Sequence, residues 1–281
     1  MTRESEAAKG AGHRIRGRIG AAGRRMTSPL RVLPDFMIIG AQRAGSTSLY
    51  RNICAHPQVL PAKVKEVHYF DVRIGRGPRW YRSNFPTSRH LRRIARDGQP
   101  ALTGEASPYY LLHPAVPERV AALLPDVKLM AILRDPVGRA ISNYYQQVKR
   151  GHEARPMADA LFTDTGAADD WDERSGAARR TNYLARGHYA EQLERWLRHF
   201  PREQLLVLET ATLSRSGGAG FDRVLGFLGL AAWRPESFLE ANVQSYPDAD
   251  PDVLARLDEY YEPHNQRLWE LLGEAWDWRT R

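Results

Sequence analysis

The chain has 281 residues, 42% hydrophobic and 26% charged, with a formal net charge of +8 and a single cysteine, Cys54. That length supports one large domain or two small ones around a sizeable core, and no apolar run approaches the ~20 residues of a membrane-crossing helix. One cysteine excludes an intrachain disulfide and a cysteine-based zinc cluster, and it fits a reducing, cytoplasmic setting.

Residues 1–31 hold Arg3, Lys9, Arg14, Arg16, Arg18, Arg24, Arg25 and Arg31 against Glu4 and Glu6. This segment therefore carries +6 of the net +8, and residues 32–281 are nearly neutral. It lacks the continuous apolar stretch of a secretory signal and has too little apolar surface to offset its ordering entropy. The expectation is a disordered basic tail ahead of one domain over 32–281. Such a tail binds nucleic acid or anionic membranes nonspecifically; otherwise it is a solvated extension, or sequence upstream of a true start at Met26.

Phe36–Ile39 reads as a buried strand between Pro34-Asp35 and Gly40. A helix begins near Gly45–Ser46 and stops before Pro57, because the residue preceding a proline resists the α region. A second strand is expected at Ala101–Gly104, then a helix opened by Pro114 or Pro117 and running to about Leu124. Val127–Leu133 is the strongest strand. Asp135 caps the helix that follows, with Pro136 at its first position and its end near Lys149. Residues 151–182 have weak periodicity and read as a partly mobile excursion, a lid or a surface insertion. Gly187–Phe200 is an amphipathic helix, Leu205–Leu208 a strand and Phe221–Leu228 a helix. Pro251–Leu272 closes the chain as a long helix interrupted near Pro263. Strands alternating with helices give an α/β fold class with a mostly parallel central sheet.

The loop Gly40-Ala41-Gln42-Arg43-Ala44-Gly45-Ser46-Thr47-Ser48 joins the first strand to the first helix. That junction aims backbone N–H groups and the positive end of a helix dipole at one point, an anion site. The two glycines admit a phosphate closely, while Arg43, Ser46, Thr47 and Ser48 add a cation and hydroxyls. Gly-x-x-x-x-Gly also opens a Walker A motif, but Ser46 stands where that motif requires Lys. An ordinary βα turn of small residues is the bland alternative.

With this loop, three further segments resemble the 3′-phosphoadenylyl sulfate (PAPS)-dependent sulfotransferases, especially the heparan sulfate sulfotransferases and their bacterial relatives. These are Glu66-Val67-His68-Tyr69-Phe70-Asp71, Arg134-Asp135-Pro136 with Arg139 and Ser142, and Tyr260-Tyr261-Glu262-Pro263-His264-Asn265 with its following Leu268, Leu272, Gly273 and Trp278. The resemblance implies a three-layer α/β/α P-loop-containing nucleotide-binding fold and an enzyme that moves the sulfuryl group of PAPS to a hydroxyl, less readily an amine. It implies a 5′-phosphosulfate loop of Gln42, Arg43, Ala44, Gly45, Ser46, Thr47 and Ser48, with Arg134 and Ser142 on the 3′-phosphate. Glu66 is the implied general base, and Arg43 the cation on the leaving phosphate.

His68 either positions the acceptor or tunes Glu66, since in an extended segment the two share a face; the plainer reading is a satisfied core histidine. For Glu66 the plainer reading is a solvated charge paired with Lys63 or Lys65, and for Arg134 a salt bridge to Asp135 or another carboxylate. Arg139 more plausibly braces its helix. Tyr183, Arg186 and Tyr189 approach the nucleotide or acceptor from the lid. Trp269, Trp276 and Trp278 read as core.

Three departures stand out. Arg43 replaces the family's usual Lys, Ala106 stands where the heparan 3-O-sulfotransferases have Lys, and no Lys-Gly-Arg loop appears around Asn242–Pro247. No metal constellation appears, and sulfuryl transfer of this type requires none. The acceptor is expected to be a sugar, glycoconjugate or natural product, with no specific nucleic acid and no membrane span. The competing readings are a P-loop small-molecule kinase, disfavoured by Ser46 and Arg134, and a non-catalytic nucleic-acid binder working through the tail.

Overall fold

The computed structural model describes residues 22–95, 98, 101–163, 182–214, 218–239 and 246–278. Five strands, β1 (Phe36–Gly40), β2 (Val59–Pro61), β3 (Leu102–Ala106), β4 (Lys128–Leu133) and β5 (Leu205–Glu209), form one sheet in the order β2-β3-β1-β4-β5. Every neighbouring pair is parallel. Consecutive strand side chains point to opposite faces, and all five residues of β1 are buried, so both faces of the sheet are covered. This is the expected α/β layering. Close packing reaches its limit at Gly104, where a Cβ would stand 2.4 Å from the Phe36 ring.

The principal helices are α1 (Ser46–Cys54), α2 (Val116–Leu123), α3 (Pro136–Lys149), α4 (Tyr189–Leu197), α5 (Ala219–Leu228) and α6 (Pro251–Leu272). Asp135 caps α3 as read from the sequence, its carboxylate accepting from the Val137 and Gly138 N–H groups. β1 pairs with β3 on one side and β4 on the other. The carboxyl ends of these three strands, Gly40, Ala106 and Leu133, thus open together at the point where the strand order reverses, the usual ligand crevice of open α/β sheets.

Several expectations need correction. α6 runs unbroken through Pro263. An interior proline costs about 3 kcal/mol, but Val253, Leu257 and Leu268 are buried along one stripe of that helix, each worth roughly 1.5–3 kcal/mol. Tyr261, also buried there, donates its hydroxyl to the Leu184 carbonyl at 2.9 Å. The strand expected at Ala101–Gly104 is β3 and lies slightly downstream, at Leu102–Ala106, and α4 is shorter than Gly187–Phe200. Strand β2 and the short helical segments Pro78–Arg82, Ser88–Ile94 and Met157–Phe162 were not foreseen, since each is too short to establish a period.

The tail expectation divides at residue 21. Residues 1–21 lie outside the described residues, whereas 22–31 pack onto the domain. Arg24 donates to the Ser83 and Phe85 carbonyls at 2.7 and 2.9 Å, and Arg31 to Phe85 at 2.8 Å. Directed guanidinium bonds do here what apolar surface does elsewhere. Within the excursion, 164–181 lie outside the described residues; before them, Ala160 and Leu161 of the Met157–Phe162 helix are buried. Among the described residues no helix is long and apolar enough to cross a membrane.

Candidate active site

The anion loop follows β1 directly. Gly45, at φ 95°, turns the chain into α1 and caps that helix without a side-chain acceptor. The first-turn N–H groups of α1 therefore point out of the helix into the crevice without a capping side chain across them. Thr210, at the end of β5, holds the loop from behind: its Oγ1 lies 2.8 Å from the Ala44 carbonyl and 2.9 Å from that of Leu133. Sequence reading passed over Thr210, because nothing local marks a residue whose partners lie on two other elements.

Arg43 adopts φ 68°, a left-handed conformation uncommon for a side-chain-bearing residue. Its Nε donates to Ser142 Oγ at 3.0 Å and its Nη2 to the Tyr246 hydroxyl at 2.7 Å. Ser142, buried on α3, is 3.2 Å from the same hydroxyl, and the Tyr246 ring stacks on Tyr145 with centroids 5.0 Å apart. Of the residues expected to hold phosphate, Arg43 from the loop and Ser142 from α3 thus meet directly. Gln42 accepts from Arg186, whose guanidinium also lies over the Tyr109 ring. The Arg134 side chain, exposed at the end of β4, makes no hydrogen bond or ion pair among the described residues. The expected alternative pairing with Asp135 is not formed, because that carboxylate caps α3.

A second cluster sits at the end of β3. The Glu66 N–H bonds the Ala106 carbonyl at 3.0 Å, and the His68 N–H bonds Ser107 Oγ at 3.3 Å. Both Glu66 (φ 61°) and His68 (φ 52°) are left-handed. The segment is therefore not the extended strand that would have put the two side chains on one face. They meet nonetheless, with His68 Nε2 3.2 Å from Glu66 Oε2 and Nδ1 2.6 Å from Asp71 Oδ2. Lys65 Nζ donates to Glu66 Oε1 at 2.8 Å. The His68 hydrogen bond, joined by the Lys65 charge and opposed by burial, brings the Glu66 carboxyl down to about 2. Left-handed residues with large side chains recur where function over-determines the backbone, and Arg43, Glu66 and His68 are the only three among the described residues.

The geometry can be set beside known proteins. A family model described as "Sulfotransferase domain" matches residues 33–246. The chain belongs to the sulfotransferase family. Human heparan sulfate glucosamine 3-O-sulfotransferase 3B1 is 29% identical over 272 residues, covering 88% of this chain and 65% of that protein. Human heparan sulfate glucosamine 3-O-sulfotransferase 6 is 30% identical over 272 residues, covering 88% of this chain and 74% of its own. The chain spans just under two thirds of the length of several of these relatives. A sulfotransferase from Alicyclobacillus acidocaldarius superposes with a TM-score of 0.68 at 26% identity, over 89% of this chain and all of that one.

In this sulfotransferase-family chain several flanking residues serve structure. Arg139 is fully buried and donates to the Tyr183 carbonyl, bracing α3 as expected. Tyr183 and Tyr189, expected to approach ligand, are buried, their hydroxyls on Glu153 and on the Arg134 carbonyl. Of that group only Arg186 reaches the anion loop. Trp278 packs in the core with Nε1 on Glu209, and Trp269 and Trp276 lie against it. Tyr246, from the segment that lacks a Lys-Gly-Arg loop, meets both Arg43 and Ser142.

Behind His68, fully buried Glu105 accepts from Tyr81 at 2.6 Å and Ser107 at 2.7 Å. Burial outweighs those bonds and pushes its carboxyl up to about 7. A carboxyl raised on folding contributes stability that is complete below its ordinary value near 4.5 and is lost as pH climbs through about 7. The melting temperature should therefore fall between pH 5 and pH 8, and Glu105→Gln should flatten that fall. An equal fall in the variant would assign the dependence to other groups.

Proposed function

We propose that this chain is a PAPS-dependent sulfotransferase acting on a hydroxyl of a sugar, glycoconjugate or natural product. The observation that carries the reading is the pair of clusters at the carboxyl ends of the neighbouring strands β1 and β3: Arg43 with Ser142 beside an uncapped helix start, and Glu66 backed by His68 and Asp71. One cluster is built for an anion and the other for a proton. Glu66 takes the acceptor hydroxyl's proton as the acceptor oxygen bonds to sulfur. The bond from sulfur to the bridging oxygen breaks, and its electron pair stays on the departing 5′-phosphate, where Arg43 and the loop N–H groups offset the charge. Positioning and electrostatics do most of the work in such in-line transfers. His68 holds Glu66 in orientation and Asp71 holds His68.

The relatives' names point to heparan glucosamine as their acceptor. Here Ala106 stands where those enzymes have Lys, so this chain's acceptor site lacks that cation, and a less anionic acceptor fits better. Calorimetry with adenosine 3′,5′-bisphosphate tests the nucleotide half. Micromolar or tighter binding is expected, and none by a folded protein would end the proposal. Arg134→Ala should weaken that binding about 10- to 100-fold, since a hydrogen bond to a charged group is worth roughly 1.5–3 kcal/mol. An unchanged affinity would take Arg134 out of the phosphate site.

A further inference from the structure

Although sequence reading found no metal constellation, the fold brings one together away from the anion loop. His188 immediately precedes α4, Glu191 lies in the first turn of α4, and His264 projects from α6. One ligand atom from each of the three lies within 4.8 Å of the other two. The imidazoles of His188 and His264 are stacked, centroids 3.8 Å apart and planes within 10°. His188 Nε2 is 2.8 Å from the Tyr260 hydroxyl, the kind of outer hydrogen bond that orients a metal-ligating imidazole through its second nitrogen.

We infer that His188, Glu191 and His264 form a binding site for a divalent transition-metal ion, with zinc the best match. Two imidazoles and one carboxylate are a common three-residue zinc set, leaving a fourth position for water. At metal–ligand distances of about 2.0–2.2 Å neighbouring donors stand about 3.3–3.6 Å apart; because an ion lies in the plane of each imidazole that holds it, binding requires one of the two stacked rings to swing out of the stack. Arg267 pairs with Glu194 at 2.6 Å and, more loosely, with Glu191 at 3.6 Å, and the ion would displace the second of these contacts. The ion would pin the start of α4 to α6. Two residues before His188 lies Arg186, which contacts Gln42 of the anion loop.

The test uses the full chain stripped with a chelator and titrated with zinc alone against a chromophoric competitor, then with cobalt for the visible absorption of a low-coordinate site. One saturable equivalent at micromolar or tighter affinity is expected, with a metal-dependent rise in melting temperature. His264→Ala and the isosteric Glu191→Gln should each weaken binding about tenfold or more and lose the rise. Melting in chelator should match wild type, which shows that the variants fold. The proposal is overturned if the wild type binds no zinc below millimolar concentration. It is equally overturned if both folded variants bind as tightly as the wild type.

Discussion

Glu66→Gln should lower kcat by about 10²- to 10⁴-fold, the range for loss of a positioned general base. The substitution keeps the shape of the side chain and the amide oxygen can still accept from Lys65 or His68, so the segment pinned to Ala106 and Ser107 should hold its place. What disappears is the ability to take a proton. Affinity for adenosine 3′,5′-bisphosphate, which depends on the other cluster, should stay within about twofold, separating a chemical from a binding defect. The pH profile adds an independent check. A carboxyl held near 2 is ionised throughout pH 5–8, so kcat/KM should show no acid limb from Glu66 in that window. Its low proton affinity in the free protein comes first from the His68 bond and then from Lys65; an acceptor hydroxyl displacing Lys65 would restore part of it. Turnover of the variant within a few-fold of wild type would remove Glu66 as the base.

How much of this was visible in the sequence depends on how far apart the partners lie. β1 and β4 announce themselves as apolar runs between turn residues, and the α3 cap is a local Asp-Pro pair, so both were placed closely. β2 is three residues at a sheet edge and carries no period. The proposed phosphate ligands were legible because the loop and Arg134 each sit at the end of a legible strand. Ser142 added one turn-counting step. Tyr246 was not found: its hydroxyl meets Arg43 across 203 residues of chain, and no local pattern encodes that. Thr210 is the same case across 166 residues. The meeting of Glu66 and His68 was foreseen for the wrong reason. Extended geometry was assumed, while the backbone is left-handed at both positions and the side chains converge because their N–H groups are tied to the end of β3. The His188, Glu191 and His264 cluster was invisible for a similar reason, since only the packing of α4 on α6 unites residues 73 or more positions apart.

Arg43→Met should reduce kcat by about 10²- to 10³-fold, the cost of removing one donor from developing negative charge. In the free protein the guanidinium is already oriented: Nε is on Ser142 and Nη2 on Tyr246, and the positive φ fixes where the side chain leaves the loop. That preorganisation gives the same cation two available roles, on the leaving phosphate and on the phosphate beside Ser142. Arg43→Lys separates them. Lysine restores the charge as a compact point but not the fork that spans Ser142 and Tyr246. If the charge on the leaving oxygen is what matters, Arg43→Lys should recover most of kcat while nucleotide affinity stays below wild type. If the fork matters, Lys and Met variants should fall together. A Met variant that loses nucleotide affinity but keeps kcat would make Arg43 a binding residue only, and the leaving charge would rest on the loop N–H groups of α1.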